Sequence, residues 1–237
     1  LDVSYYTALQ ELYCFNSNLD TLKVTGCTAL KKLGAYNMPS LTSLDVNTCK
    51  NLEVLQVYGS SGLQKLYAYE LDKLTSLSVN GCTALQDLRC YGNVNMTTLT
   101  LMAADATNPN TVMTYLTCRD TALTGTLDVS YYTALETLNC YNTDETFHTD
   151  VTSVNVEGCT SLQNLRVRNL PNLSSLDAST CTDLVLLETY GCPKLTTLTL
   201  SPDSTNLATL KCNNCALTEL DLHGLTIRTV EAHSQNA

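Results

Sequence analysis

The chain has 237 residues, of which 44 % are apolar and only 15 % charged, with a net charge of −10 and an isoelectric point near 4.6. That acidic excess argues against nucleic acid or an anionic membrane surface as a partner, because counterion release needs clustered Lys and Arg. No apolar run approaches the roughly 18 residues of a membrane span, and no basic leader with an apolar core opens the sequence, so direct membrane insertion is not expected.

The chain is a repeat. Leu74 to Asn93 reads LTSLSVNGCTALQDLRCYGN, in which Leu74, Leu77 and Val79 form one L-x-x-L-x-apolar pattern and Leu85, Leu88 and Cys90 form the next. Half-units of this kind begin at Leu9, Leu19, Leu30, Leu41, Leu52, Leu63, Leu74, Leu85 and Met96, nearly always 11 residues apart. They resume at Met113, Thr124, Leu135, Val151, Leu162, Leu173, Leu184, Leu195, Leu207, Leu217 and Ile227. With the first Leu as offset zero, offsets three and five point one way and offset four the other, which is strand periodicity. Asn, Gly, Ser, Thr and Asp flank each stretch and mark turns. A half-unit of 11 residues leaves no room for a helix and two turns. The pattern predicts a mostly β solenoid of about ten coils, each with two short parallel strands and little or no helix.

L-x-x-L-x-L-x-x-N/C resembles the leucine-rich repeat. The nested form, with Leu pairs in both halves of a 21–22-residue unit, is similar to leucine-rich repeats of surface proteins from Bacteroides-like bacteria. The resemblance implies one leucine-rich-repeat domain over residues 1–237, expected to be a segment of a longer polypeptide. It also implies that an Asn or Cys at offset eight satisfies backbone groups along a turn ladder.

Two flavours of half-unit alternate, LTSLDVNTC (from Leu41) and LQDLRCYGN (from Leu85). At Leu52 and Leu63 two halves of the second flavour follow each other, so either one coil is oversized or the flavours swap faces after residue 63. Extra residues at 103–110 (AADATNPN) and 143–150 (TDETFHTD) predict inserted loops. The string LDVSYYTAL occurs at Leu1 and again at Leu127, which points to duplication of a multi-coil block. In it, Tyr5–Tyr6 and Tyr131–Tyr132 replace a Gly-Cys turn pair, and one Tyr of each pair is expected to be inward or half-buried.

Of the 12 Cys, Cys27, Cys49, Cys82, Cys159, Cys181, Cys192 and Cys215 fall at offset eight, and Cys14, Cys90, Cys118, Cys140 and Cys212 at offset five. All are positions the repeat uses for inward residues, so reduced, buried thiols are expected ahead of disulfides such as Cys192–Cys215. Only Cys212 and Cys215 have zinc-like spacing, and no second pair matches them; no metal and no cofactor is expected.

The candidate functional feature is aromatic. Offset six of second-flavour halves carries Phe15, Tyr36, Tyr58, Tyr69, Tyr91, Tyr141 and Tyr190, with Arg119, Arg168 and Asn213 in the remaining slots. Stacking should align these into a ladder that is either structural cladding or a binding stripe, since Tyr gives a large contact area at low entropy cost. Asp144, Glu145, His148 and Asp150 in the second loop suit either a solvated acidic loop or a weak cation site. Catalysis has no support: His148, His223 and His233 are scattered, and neither a G-x-S-x-G nor a Gly-rich phosphate loop is present. The sequence reads best as a non-catalytic extracellular or cell-surface recognition module with a protein partner, ahead of a glycan because Trp is absent. The alternative is a structural spacer or stalk with no ligand of its own.

Overall fold

A computed structural model describes residues 1–101, 111–144 and 146–235. The predicted loop at 103–110 therefore lies outside the described residues, as does Glu145 of the second loop. The described residues form eighteen strands and no helix. Most strands are three residues long, centred on the second Leu, because turn residues follow at once; the longest run over Thr124–Asp128 and Asp150–Asn155.

The strands build two sides of a solenoid. One carries a nine-stranded parallel sheet: Ser43–Asp45, Lys65–Tyr67, Asp87–Arg89, Tyr115–Thr117, Thr137–Asn139, Asn164–Arg166, Leu186–Glu188, Thr209–Lys211 and Thr229–Glu231. The other carries a five-stranded sheet (Glu11–Tyr13, Lys32–Gly34, Val54–Gln56, Ser76–Ser78, Thr98–Thr100). On that side Thr124–Asp128 then pairs with Asp150–Asn155, and Ser175–Ala178 with Thr197–Leu200. Pairing is in register, so Leu44, Leu66, Leu88 and Leu116 stack along the axis. The first Leu of each half-unit is fully buried from Leu30 to Leu85. Each such side chain contributes about 1.5–3 kcal/mol by leaving water.

The apparent slip at Leu52 and Leu63 is a swap of sides, not an oversized coil. Lys65–Tyr67, of the second flavour, pairs with Ser43–Asp45, of the first, and Val54–Gln56 pairs likewise with Ser76–Ser78. The 22-residue step is kept on both sides.

The swap changes where pairing is continuous. Second-flavour halves carry small residues at offset five, such as Cys14, Ala35, Ala68, Cys90, Cys118 and Cys140, where first-flavour halves carry Val24, Val46, Val79, Leu101, Val129 and Val156. Before the swap the unbroken ladder follows the five-stranded side, and among the described pairings nothing joins Lys23 to Asp45. After it the nine-stranded side is unbroken. The opposite side then parts between Thr98–Thr100 and Thr124–Asp128, and again between Asp150–Asn155 and Ser175–Ala178.

Turns are satisfied from the next coil. At offset eight a thiol donates back to the offset-five carbonyl of the preceding coil: Cys27 to Val3 (3.1 Å), Cys49 to Val24 (3.5 Å), Cys82 to Val57 (3.2 Å), Cys159 to Val129 (3.3 Å) and Cys192 to Val167 (3.3 Å). Where Cys is missing, Ser60 makes the same bond to Ala35, Asn93 to Ala68 and Gln235 to Cys212. Ser60 and Asn93 also accept from the backbone N–H of Met38 and Leu71, which a thiol does poorly. All 12 thiols are free; Cys14 is half-buried and the rest are buried. Burial pushes Cys49, Cys82, Cys181 and Cys212 up to about 11 and Cys159 and Cys192 to about 12.

The tyrosine pairs divide. Tyr132 fills an offset-eight slot and is 1 % exposed, as expected, but Tyr5 and Tyr6 are 86 % and 63 % exposed. Tyr6 occupies the slot equivalent to Tyr132, and in the described chain it has a coil on one side only. The expectation of an inward residue there is corrected.

Candidate functional site

The nine candidate positions form two columns rather than one. Phe15, Tyr36 and Tyr58 follow strands of the five-stranded sheet, whereas Tyr69, Tyr91, Arg119, Tyr141, Arg168 and Tyr190 follow strands of the nine-stranded sheet. The side swap after residue 63 separates them.

Both columns repeat at the coil spacing. Phe15 stacks on Tyr36 at 4.6 Å between centroids, Tyr36 on Tyr58 at 4.8 Å and Tyr69 on Tyr91 at 4.5 Å, all within 12° of parallel. From Tyr91 onward, rings and guanidiniums interleave. Arg119 lies over Tyr91 at 4.4 Å, and Arg168 lies 4.0 Å from the Tyr141 ring and 5.2 Å from that of Tyr190. Each such contact contributes about 0.5–1 kcal/mol at a partly exposed site. Tyr36 and Tyr91 are therefore covered on both faces along the axis, the first by Phe15 and Tyr58 and the second by Tyr69 and Arg119.

Carboxylates fix the arginines. Arg119 is paired with the buried carboxylate of Asp120, which also accepts from the N–H (2.7 Å) and hydroxyl (2.9 Å) of Thr143. Glu188 reaches Arg166 at 3.3 Å and Arg168 at 3.4 Å. The residue after eight of the nine column positions turns left-handed: Asn16, Asn37, Glu70, Asp120 and Asn169 have φ between 52° and 55°, and Gly59, Gly92 and Gly191 between 67° and 70°.

A second stripe was not among the sequence candidates. On the outer face of the nine-stranded sheet, Arg89 lies 5.1 Å from the rings of both Tyr67 and Tyr115. Asp87 anchors it by two bonds of 3.0 Å and accepts from the Tyr67 hydroxyl at 3.2 Å. Burial and this carboxylate push the Tyr67 phenol up, so it remains a donor. The signal was available at offsets two and four, the outward positions of each strand.

The second inserted loop is folded onto the turn column. Thr149 takes a ladder position, donating to Thr121 O at 3.0 Å, and Asn142 and Thr149 bond each other. Asp144 accepts from the Thr146 N–H (2.8 Å) and hydroxyl (2.5 Å), which hold its carboxyl below the usual range. Asp150 is tied to Asn172. Among the described residues no group of three or more His, Cys, Asp or Glu is arranged to hold a metal. Beside the loop runs a groove of about 1370 Å³, floored by Phe147, Pro171 and Pro193.

The site has no assembled nucleophile and base; its groups are edges, hydroxyls and paired charges suited to contact. The fold and surface define a leucine-rich β-solenoid that presents ordered rows of side chains. No family model and no curated protein sequence matches the chain. Solved structures that it resembles include the functional domain of InlJ from Listeria monocytogenes, described as including a cysteine ladder. The identity there is 24 % over 97 % of this chain and 59 % of that one, with a TM-score of 0.38. The plant peptide hormone receptor RGFR1 in complex with RGF2 is 16 % identical over 89 % of this chain and 56 % of that one, with a TM-score of 0.28. A leucine-rich-repeat protein of Leptospira interrogans is 16 % identical over 98 % of this chain and 86 % of that one, with a TM-score of 0.22. The chain thus spans less than two thirds of the length of the first two, and the fold assignment rests on its own strands.

Proposed function

We propose that this is a non-catalytic recognition module that binds a protein partner outside a bacterial cell through the nine-stranded side. The carrying observation is asymmetry. Four of the five arginines (Arg89, Arg119, Arg166, Arg168) lie on that side, three of them against tyrosine rings (Tyr67, Tyr91, Tyr115, Tyr141, Tyr190). Tyr and Arg are the residues enriched where protein interfaces derive their energy. A spacer would scatter its polar residues over both sides.

The rows are also preorganised, because cation–π contacts and carboxylates already fix the side chains, so binding costs little ordering entropy. Rings covered on both faces, such as Tyr91, favour a protein over a glycan, since a sugar needs an open ring face. The extracellular setting rests on the likeness to bacterial leucine-rich repeats of the 21–22-residue class and on a Thr- and Asn-rich surface poor in Lys. No helix among the described residues is long and apolar enough to cross a membrane.

The test compares three immobilised proteins for capture from culture supernatant: wild type, Arg89→Ser/Tyr115→Ser, and Lys32→Ser/Val54→Ser on the opposite side. The reading stands if a protein is retained by the first and third and lost by the second. Equal retention by all three overturns it.

A further inference from the structure

The groove beside the second inserted loop is unlike the rest of the surface. It follows the turns of four successive coils, from Asn142 through Asn169 and Gly191 to Asn214. At about 4.8 Å per coil this is a trough of about 14 Å, the reach of four or five extended residues. Its floor is apolar: Phe147 is half-buried, and Pro171 and Pro193 occupy equivalent positions in adjacent coils.

Its lining sets the hydroxyl, amide and imidazole groups of Thr124, Thr146, Asn214 and His148 beside two carboxylates. Asp144 and Asp150 line it, and among the described residues no Lys or Arg does. The two prolines have no N–H to offer. The turn N–H groups are already spent within the ladder: Asn169 on Tyr190 O (2.9 Å), Gly191 on Asn213 O (2.9 Å) and Asn214 on His233 O (3.1 Å). The amides of Asn142 and Asn169 are locked on each other's backbone carbonyls at 2.8 Å. With its backbone donors used and two carboxylates in its lining, the trough suits a ligand that brings donors and positive charge.

We infer that this groove binds an extended peptide segment carrying arginine or lysine, with its basic side chain at Asp144 and Asp150 and its apolar residues over Phe147, Pro171 and Pro193. This goes beyond the tyrosine and arginine rows: it is a second site with its own chemistry, formed where the insertion meets the turn column. The guanidinium or ammonium supplies those donors, and the prolines and Phe147 select an apolar neighbour.

The experiment uses a five-residue probe of alternating leucine and arginine, capped at both ends and carrying a fluorophore, with a twin in which glutamate replaces arginine. Fluorescence anisotropy against the whole chain should show the arginine probe binding at least about ten-fold more tightly than its twin, and more weakly as salt rises. Asp144→Asn should weaken it about five-fold, the loss of one partly exposed charge pair. Thr124→Lys, which adds a cation at the exposed rim, should weaken it at least as much. Both positions are exposed, and each variant should melt as wild type does. Lys32→Ser, on the five-stranded side and far from the groove in the stack, should leave probe binding unchanged.

The inference is overturned if neither probe binds, if both bind alike, if the two groove variants bind as wild type does, or if Lys32→Ser abolishes binding. Binding of the arginine probe alongside failure of the capture experiment would leave this site standing and remove the nine-stranded face as a partner surface.

Discussion

The sulfur of Cys159 lies 3.3 Å from the carbonyl oxygen of Val129, in the preceding coil. The same relationship recurs along the solenoid, with Ser60 and Asn93 standing in at positions without Cys. Asn93 makes the richer set, donating to Ala68 O and Cys90 O and accepting from Leu71 N while fully buried. Asn93→Ala is therefore expected to cost about 2–4 kcal/mol, since it orphans several buried backbone groups. Cys159→Ser should be nearly neutral and Cys159→Ala should cost about 1 kcal/mol. Urea melts of the three variants check the order.

Stability should fall in alkali. Burial raises the folded values of Cys49, Cys82, Cys181 and Cys212 to about 11 and of Cys159 and Cys192 to about 12, from an ordinary 9.0. A raised thiol keeps its proton in the folded state after the unfolded chain has lost it. The stabilisation is thus complete below pH 9 and is lost as pH climbs through 9 towards 11–12. Each such thiol adds a slope of about 1.4 kcal/mol per pH unit. Urea midpoints at successive pH values from 8 to 10.5 should be flat at first and then drop steeply.

The Arg168 guanidinium touches two rings and shares Glu188 with Arg166. Arg168→Met keeps bulk but loses both contacts, and is expected to destabilise by about 1–2 kcal/mol. Arg168→Lys should recover only part of this, because an ammonium cannot lie flat between two rings. Thermal melts of both variants decide it.

Glu70 is left-handed at φ 55°, in the turn column where Gly92 follows at 67°. Glu70→Gly removes the clash of a side chain in that conformation, and is expected to stabilise by up to about 1 kcal/mol despite losing the exposed contact to Lys50. The readout is the melting midpoint; a fall would show that the Lys50 contact outweighs the strain.

Much of this fold was legible because a solenoid has almost no long-range ambiguity. The 11-residue Leu pattern determines strand, turn and neighbour together, and inward Cys at offsets five and eight follows from the same phase. The doubled second flavour at Leu52 and Leu63 was visible, but the choice between an oversized coil and a swap depends on which strand Lys65–Tyr67 pairs with. The Tyr67, Arg89 and Tyr115 stripe was missed because offset six drew the eye, although the outward strand positions were just as readable. The groove was not readable at all. Its walls run from Ala122 to Asn214, and only the stacking of four coils brings them together.

The change of the tied side after residue 63 has a mechanical consequence. Among the described residues, three coil junctions are held by strand pairing on one side alone: the nine-stranded side is open between Lys23 and Asp45, and the opposite side between Thr98–Thr100 and Thr124–Asp128 and between Asp150–Asn155 and Ser175–Ala178. Where Ser43–Asp45 pairs with Lys65–Tyr67 and Val54–Gln56 with Ser76–Ser78, two ladders must break before neighbouring coils separate; at the three open junctions one is enough, so local opening starts there.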